Sequence, residues 1–412
     1  MSAHHLTRRT AVVVFLAFAL AYFFSALVRA ITATLSPILT QELGLQARDL
    51  GLLAGGYFFG FSLTQLPLGR WLDRYGPRSV ILAFLSVAVL GCVAFAQADS
   101  FGGLLLARVL CGVGVSACLM APLTGYRRWF NASTQWRANS WMLMTGSLGM
   151  VAATLPVQWL LPIWGWRALF VAMAACIAVA MLGIWRLVPS WQRHVPAAQG
   201  AVVDDGGYGA VWRNPYFWRM TPLGFFSYGG MVAIQTLWAG PWMTQVAGWT
   251  ALESATGLFA INLSMLTSFW LWGWITPGLA RRGIHANSLI ARGFPLSLLA
   301  LAALVFVGSA AGGGAVALLA AFCVCSTFVS LAQPAVGMAF PSHLAGRALS
   351  AYNLVIFAGI FVVQWGIGLG VDLARGLGLN TALAYQFAFG AFGICSLLSW
   401  LFFMLFRADN GS

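Results

Sequence analysis

The sequence predicts an all-α membrane protein, twelve transmembrane helices arranged as two pseudo-symmetric bundles of six. Three observations predict it. First, 60% of the 412 residues are hydrophobic and only 8% are charged, where a soluble domain carries roughly 25%. Second, the basic residues sit in short clusters between long apolar runs. Third, short motifs of the first half recur in the second at offsets of 202–210 residues. A spanning helix needs ~20 mostly apolar residues to cross a ~30 Å hydrocarbon core. Twelve of them consume nearly the whole chain. That excludes a soluble enzyme, a disordered tail protein and a secreted disulfide scaffold.

Gly, Pro and charged residues divide the apolar runs into helices 1 to 6 at 11–38, 50–69, 79–97, 102–125, 138–162 and 167–188. Helices 7 to 12 follow at 217–245, 253–277, 287–309, 314–340, 347–371 and 381–406. The run from Ala11, preceded by Arg8 and Arg9, has the look of a signal peptide. It continues for over twenty residues with no small-residue cleavage site before a polar segment, so a retained first helix is expected. The longest polar stretch, 189–216, contains Gln192, Arg193, His194, Asp204 and Asp205. It acts as a central cytoplasmic loop between an N-terminal bundle, 1–188, and a C-terminal bundle, 217–412.

All 22 basic residues are Arg. With both termini cytoplasmic, seventeen of them fall on the cytoplasmic side and three (Arg48, Arg167, Arg375) on the other, while Arg29 and Arg108 lie inside helices. This is the positive-inside asymmetry of a multi-pass protein, placed here in a bacterial inner membrane. The net charge of +13 does not point to nucleic acid, which would need a basic stripe on a soluble face. The expected partners are the lipid bilayer and a small-molecule substrate, and the chain is expected to work as a monomer. Seven cysteines lie in apolar segments, and Cys323 and Cys325 are two apart, off a common helix face. They read as small buried hydrophobes, with no metal site or disulfide. Gly112-Val-Gly114 mimics a dinucleotide fingerprint but sits inside a membrane helix with no preceding strand. Gly56-Tyr-Phe-Phe-Gly60 fits close helix packing. No cofactor and no enzymatic activity are expected.

The halves echo each other. Phe130 to Arg137 follows helix 4, and Phe340 to Arg347 follows helix 10, with the same spacing of seven. Gln158-Trp159 recurs as Gln364-Trp365, Phe23-Phe24-Ser25 as Phe225-Phe226-Ser227, and Arg74-Tyr75-Gly76 as Arg281-Arg282-Gly283. A duplicated six-helix unit is a hallmark of secondary transporters, whose substrate site lies near the membrane midplane between the repeats.

The loop after helix 2 reads Gly69-Arg-Trp-Leu-Asp73-Arg74-Tyr-Gly76-Pro77-Arg78. It resembles the signature loop of the major facilitator superfamily, with Pro77 in place of the first of the usual basic pair. Helix 4, Leu104 to Gly114 with Arg108 at its centre, is similar to that superfamily's helix-4 motif. The resemblance covers the whole chain. It implies alternating-access transport, secondary active or facilitative, and names no substrate. Physically, Gly69 and Gly76 permit a tight turn, and Asp73 can pair with an Arg or a helix N-terminus to latch the cytoplasmic ends. Arg74, Arg78, Arg108, Arg137 and Arg347 belong with this gating set.

A charge at a helix centre costs ~2.5–3.5 kcal/mol even on lenient insertion scales, so it faces water or a partner. Arg29 shares one face of helix 1 with Tyr22, Ser25, Thr32 and Ser36, at spacings of 3 and 4. That polar stripe reads as cavity lining; the alternatives are a snorkelling Arg or one paired with a carbonyl. In organic-anion members of the superfamily an Arg in helix 1 holds the substrate's acid group, and Arg29 resembles it in place. Arg108 is either structural or gate-related, and in both cases adds positive potential.

None of the nine carboxylates lies in the middle of a predicted helix, and all five His fall on the cytoplasmic side. The positive interior therefore calls for an anionic substrate, and Asp49 and Asp372, near helix ends, are the remaining proton candidates. Helix 7 carries a stripe of Tyr228, Met231, Gln235, Trp238, Trp242 and Gln245, and Gly240-Pro241 is expected to interrupt it. Helix 11 offers Asn353, Phe357 and Gln364, and helix 5 offers Ser147, Thr154 and Gln158. Most of the 19 Trp belong to interface belts or packing, with Trp238 the chosen exception. The expected substrate residues are Arg29, Tyr22, Ser25, Gln235, Trp238, Asn353 and Gln364. The reading is uptake of a small organic anion, a carboxylate. The alternatives are a proton-antiport exporter of drugs or metabolites, disfavoured by the empty core, and an inorganic-anion transporter, which lacks a second core Arg on helix 8. More remote is a non-transporting sensor or scaffold, for which no signalling domain is present.

Overall fold

The computed structural model describes residues 6–190 and 207–406. Most of the central loop, 191–206, lies outside the described residues, as do His4, His5, Arg407 and Asp409. Among the described residues there are twelve helical crossings, and nine helices are long and apolar enough by composition to span a membrane. The remaining three crossings, helices 2, 5 and 7, are interrupted: at Thr64, at Ala153–Thr154, and by two π-helical stretches, Leu223–Tyr228 and Ile234–Trp238. By parity of crossings, the first and last described residues share one face, here the terminal face. The other is the opposite face.

Helix 1 is Arg8–Leu43. Helix 2 begins with Ala47–Leu63, resumes at Gln65 and runs helically to Gly76, where φ of 78° and ψ of 161° break the ladder. Helix 3 continues from Pro77 to Gln97. The expected loop of several residues is thus a single-residue turn. Only Gly76 needs the left-handed region that Gly enters without a Cβ clash, and Pro77 supplies a preset φ for the next helix start. Gly69 is helical, with open space around its α-carbon, so it is not part of the turn. Gly165, φ 72° and ψ 162°, separates helices 5 and 6 in the same way. Helix 4 is Phe101–Val115 and Ala117–Trp129, offset at Ser116.

In the second half, Gly240-Pro241 does not interrupt helix 7: both lie in the regular turn Ala239–Gln245. The distortion sits one turn earlier, in the π-helical Ile234–Trp238. Pro241 has no N–H to donate to the Leu237 carbonyl four residues back, and that carbonyl lies in the wider turn. Helices 8 and 9 are Ala251–Arg281 and Ala286–Val307, and helix 10 combines Gly314–Ser326 with Ala332–Met338. Helices 11 and 12 are Ser342–Gly376 and Thr381–Leu405.

Lipid tails give helices no hydrophobic reason to associate, so close backbone approach at small residues does that work. Gly60 packs on the Val109 carbonyl, Gly112 on that of Tyr57 and Gly114 on the Ala88 backbone, which fastens helices 2, 3 and 4 together. The same device joins the two halves towards the opposite face. A Cβ at Gly51 would sit 2.5 Å from the Gln364 carbonyl oxygen, one at Gly55 2.9 Å from the Phe361 ring, and one at Gly240 2.8 Å from the Ala33 carbonyl oxygen. Helix 2 against helix 11 is the most extensive interhelical seam in the molecule.

Candidate functional site

Helix 1 is enclosed by helices 5 and 7, so from Ser25 to Ser36 every residue is buried except Arg29, which is half-buried. The guanidinium of Arg29 lies 5.9 Å from the centroid of the Phe61 ring. Three tyrosines face it: Tyr22 from its own helix, Tyr57 from helix 2 and Tyr228 from helix 7. Phe61 stacks on Phe357 of helix 11 at 4.0 Å and 25°, so an aromatic floor beneath Arg29 crosses from one half to the other.

Arg108 is fully buried, its guanidinium 5.3 Å from the centroid of the Tyr57 ring. It donates from Nη1 to the Val28 carbonyl at 3.0 Å, while its Nε and Nη2 have no hydrogen-bond partner among the described residues. Tyr57 therefore sits between two arginines, and its hydroxyl donates to the Ser25 carbonyl at 3.3 Å. Among the described residues no Asp or Glu lies within 4.0 Å of Arg29 or Arg108. The centre of the molecule thus holds two guanidinium groups, tyrosine hydroxyls that can bond an oxyanion, and apolar rings. In a low-dielectric interior, charged groups of this kind call for a partner of opposite charge or a hydrogen-bonding acceptor.

The residues expected at the site fall into two tiers. Arg29, Tyr22 and Ser25 lie in the central one, where the Ser25 hydroxyl has no hydrogen-bond partner among the described residues. Asn353 is half-buried on helix 11 and accepts from Gln333 of helix 10 at 2.6 Å. Gln235 and Trp238, about two and three turns further along helix 7 from Tyr228, form the second tier with Gln364 of helix 11. Gln235 donates to Asn262 of helix 8 at 3.0 Å. The Trp238 indole donates to the Gln364 carbonyl, and Gln364 Nε2 donates to Thr236, each at 3.0 Å; Trp238 and Gln364 are fully buried. In this conformation the second tier is the packed seam above the centre.

Tyr57 and Phe61 escaped the sequence reading because both lie in or next to the Gly56 to Gly60 segment, which serves helix packing. A signal was there: Tyr57 and Phe61 are four apart, on one face of helix 2.

At the terminal face, Arg127 is the cation facing the exposed Asp73. Arg74 lies over the Tyr75 ring, and Arg78 donates to the Trp185 carbonyl at the end of helix 6. These contacts stay within the first half. Arg137 and Arg347 are each the sixth residue of the helix that opens at Ala132 or Ser342. Arg347, with Arg70, is close to Tyr208, whose hydroxyl donates to the Leu66 carbonyl.

Twelve crossings, glycine seams between two halves and a charged centre between them define a membrane transporter architecture. The chain belongs to the Major Facilitator Superfamily, whose sequence pattern matches residues 18–364. Its fold is similar to that of a bacterial homolog of the human lysosomal transporter Spinster in an inward-facing, unoccupied conformation, with a TM-score of 0.78, 18% identity and 97% of each chain covered. Among curated proteins it is similar to a probable L-galactonate transporter of Escherichia coli K12, 23% identical over 48% of this chain and 42% of that protein. It is also similar to the hexuronate transporter of that strain, 24% identical over 66% of each. The matched region thus spans less than two thirds of either relative's own length.

Proposed function

We propose that this chain is a secondary transporter for the uptake of a small organic carboxylate, in a bacterial inner membrane with both termini cytoplasmic. The observation that carries the reading is Arg29: a half-buried cation at the meeting of the two halves, ringed by tyrosines and lacking a carboxylate partner among the described residues. A substrate acid group supplies the missing charge. Two relatives named for sugar acids support that class, and the 17-to-3 split of arginines supports the orientation. In this reading Arg29 anchors the acid group, Tyr22, Tyr57, Ser25 and Tyr228 hold its oxygens, and Asn353 reaches it from the other half. Gln235, Trp238 and Gln364 complete the site when the seam above it opens. Bundles 1–188 and 217–412 rock about this centre, and the Asp73 loop with Arg74, Arg78, Arg137 and Arg347 governs closure of the terminal face.

The test is uptake into proteoliposomes of sugar-acid anions beside their uncharged parent sugars. Wild type should take up an anion saturably and ignore the neutral sugar. Arg29→Ala should abolish that uptake while remaining folded, and Arg29→Lys should retain a weak remnant, since Lys supplies charge without a bidentate fork. Equal uptake of the neutral sugar, or full uptake by Arg29→Ala, would sink the proposal.

A further inference from the structure

Helix 2 begins at the opposite face with its first N–H groups unsatisfied by its own turn, as every helix does. Here two of them are taken by a residue over three hundred positions away. Asp372, near the end of helix 11, accepts from Arg48 N at 2.8 Å and from Ala47 N at 3.2 Å, one bond on each carboxylate oxygen. A carboxylate on a helix N-terminus combines charge-assisted hydrogen bonds with a favourable helix dipole. Beside it, Gly368 packs directly on the Ala47 and Arg48 backbone, so the contact leaves no slack. The charged groups around the carboxylate are Arg48 and Asp49 on helix 2, which lie 3.8 Å apart, and Arg375 on helix 11; Tyr385 of helix 12 is also near. A cleft of about 350 Å³ lies between the halves at this face, lined in part by Gln46, Ala47, Arg375 and Tyr385. Asp372 itself is half-buried.

We propose that Asp372 is the latch of the opposite face: by capping helix 2 across the interface it holds that face shut and sets the balance between the two access states. It is a positioning residue and touches no substrate. Rocking the halves apart must break both N–H bonds and expose the carboxylate to water. This inference rests on the alternating motion of the two halves and is independent of which substrate Arg29 receives.

The test reads conformation directly. Nitroxide pairs are placed on Asp99→Cys with Leu377→Cys for the opposite face, and on Tyr75→Cys with Met338→Cys for the terminal face, with Cys176, Cys325 and Cys395 changed to Ala. Distances are measured by pulsed electron resonance on the full chain in nanodiscs, without substrate. Asp372→Ala and Asp372→Asn should raise the ratio of open to closed opposite face about tenfold. The terminal-face pair should close in step, which a general loosening would not produce. Asp372→Glu, which keeps the charge, should restore part of the closed population. Arg48→Pro removes one of the two donors at a position in the first helical turn that tolerates Pro. It should shift the balance the same way, beside an Arg48→Ala control that does not. Unchanged distances in Asp372→Asn, or in Arg48→Pro if the Asp372 variants fail to fold, would overturn the proposal.

Discussion

Gly149 of helix 5 packs against the backbone carbonyl of Phe23 in helix 1 so closely that a methyl group on its α-carbon would overlap the oxygen. In the second half, Gly359 of helix 11 stands in the same relation to the carbonyl of Phe225 in helix 7. The two glycines are 210 apart in sequence and the two phenylalanines 202, the limits of the offsets at which the motifs recur. Each phenylalanine also meets its neighbour edge-on, Phe23 with Phe24 and Phe225 with Phe226.

Either glycine changed to Ala should therefore force two backbones apart. Overpacking of this kind costs ~1–3 kcal/mol. Gly149→Ala and Gly359→Ala should each lower the melting temperature of the solubilised protein. The double variant should lose close to the sum, since the two sites share no partner. Unchanged melting in both would show that helices 1 and 7 shift freely against 5 and 11.

These contacts show why the fold was legible. Membrane crossings are written in composition, and the duplication is written in local motifs such as Phe23-Phe24-Ser25, both readable along one strand of sequence. The turn at Gly76 was readable as a turn. Its single-residue length was not, because helix continuation through Asp73 and Arg74 depends on packing that sequence spacing does not encode. The site was half legible for the same reason. An Arg inside an apolar helix, on a polar stripe, announces itself, as Arg29 does. Aromatic residues such as Tyr57 and Phe61 look alike in sequence whether they pack or bind, and only the placement of helix 2 beside helix 1 brings them to Arg29. Trp238 and Gln364 are polar-tipped and buried, but helical spacing cannot say how far along the axis a pair becomes sealed.

Tyr57 gives the most direct test of the centre. Its hydroxyl faces Arg29 while its ring lies against Arg108. Tyr57→Phe keeps the ring and removes only the hydroxyl. A hydrogen bond involving a charged group contributes ~1.5–3 kcal/mol. Transport by Tyr57→Phe should show KM raised about tenfold with the protein still folded and Arg108 still seated on the Val28 carbonyl. A KM equal to wild type would place Tyr57 with the packing residues.

Gly51 tests the seam between the halves. A side chain there meets the Gln364 carbonyl and the Trp238 ring. Gly51→Val should keep the opposite face from closing without disturbing Arg29. Substrate binding measured by thermal stabilisation should survive, while net uptake should fall by about tenfold or more, since a seam that cannot close forfeits ~1.4 kcal/mol or more of the balance. Loss of binding along with transport would mean that Gly51 reaches the site itself.

Trp238 lies in the same seam, and its role separates packing from binding. The indole N–H and the Gln364 carbonyl it meets are both fully buried, and the ring sits edge-on to Tyr385 at 6.1 Å. Trp238→Phe keeps an aromatic ring but leaves that carbonyl without its donor, at a cost of ~1–3 kcal/mol for an unsatisfied buried group. The cost falls on the state in which the opposite face is closed, because only there do the two groups meet without water. The variant should melt lower and populate the open opposite face more, with the affinity for the transported anion within a factor of about two of wild type, a change of under ~0.5 kcal/mol. If affinity falls tenfold while melting is unchanged, Trp238 contacts the substrate during the cycle, and the second tier closes over the bound anion as part of the site.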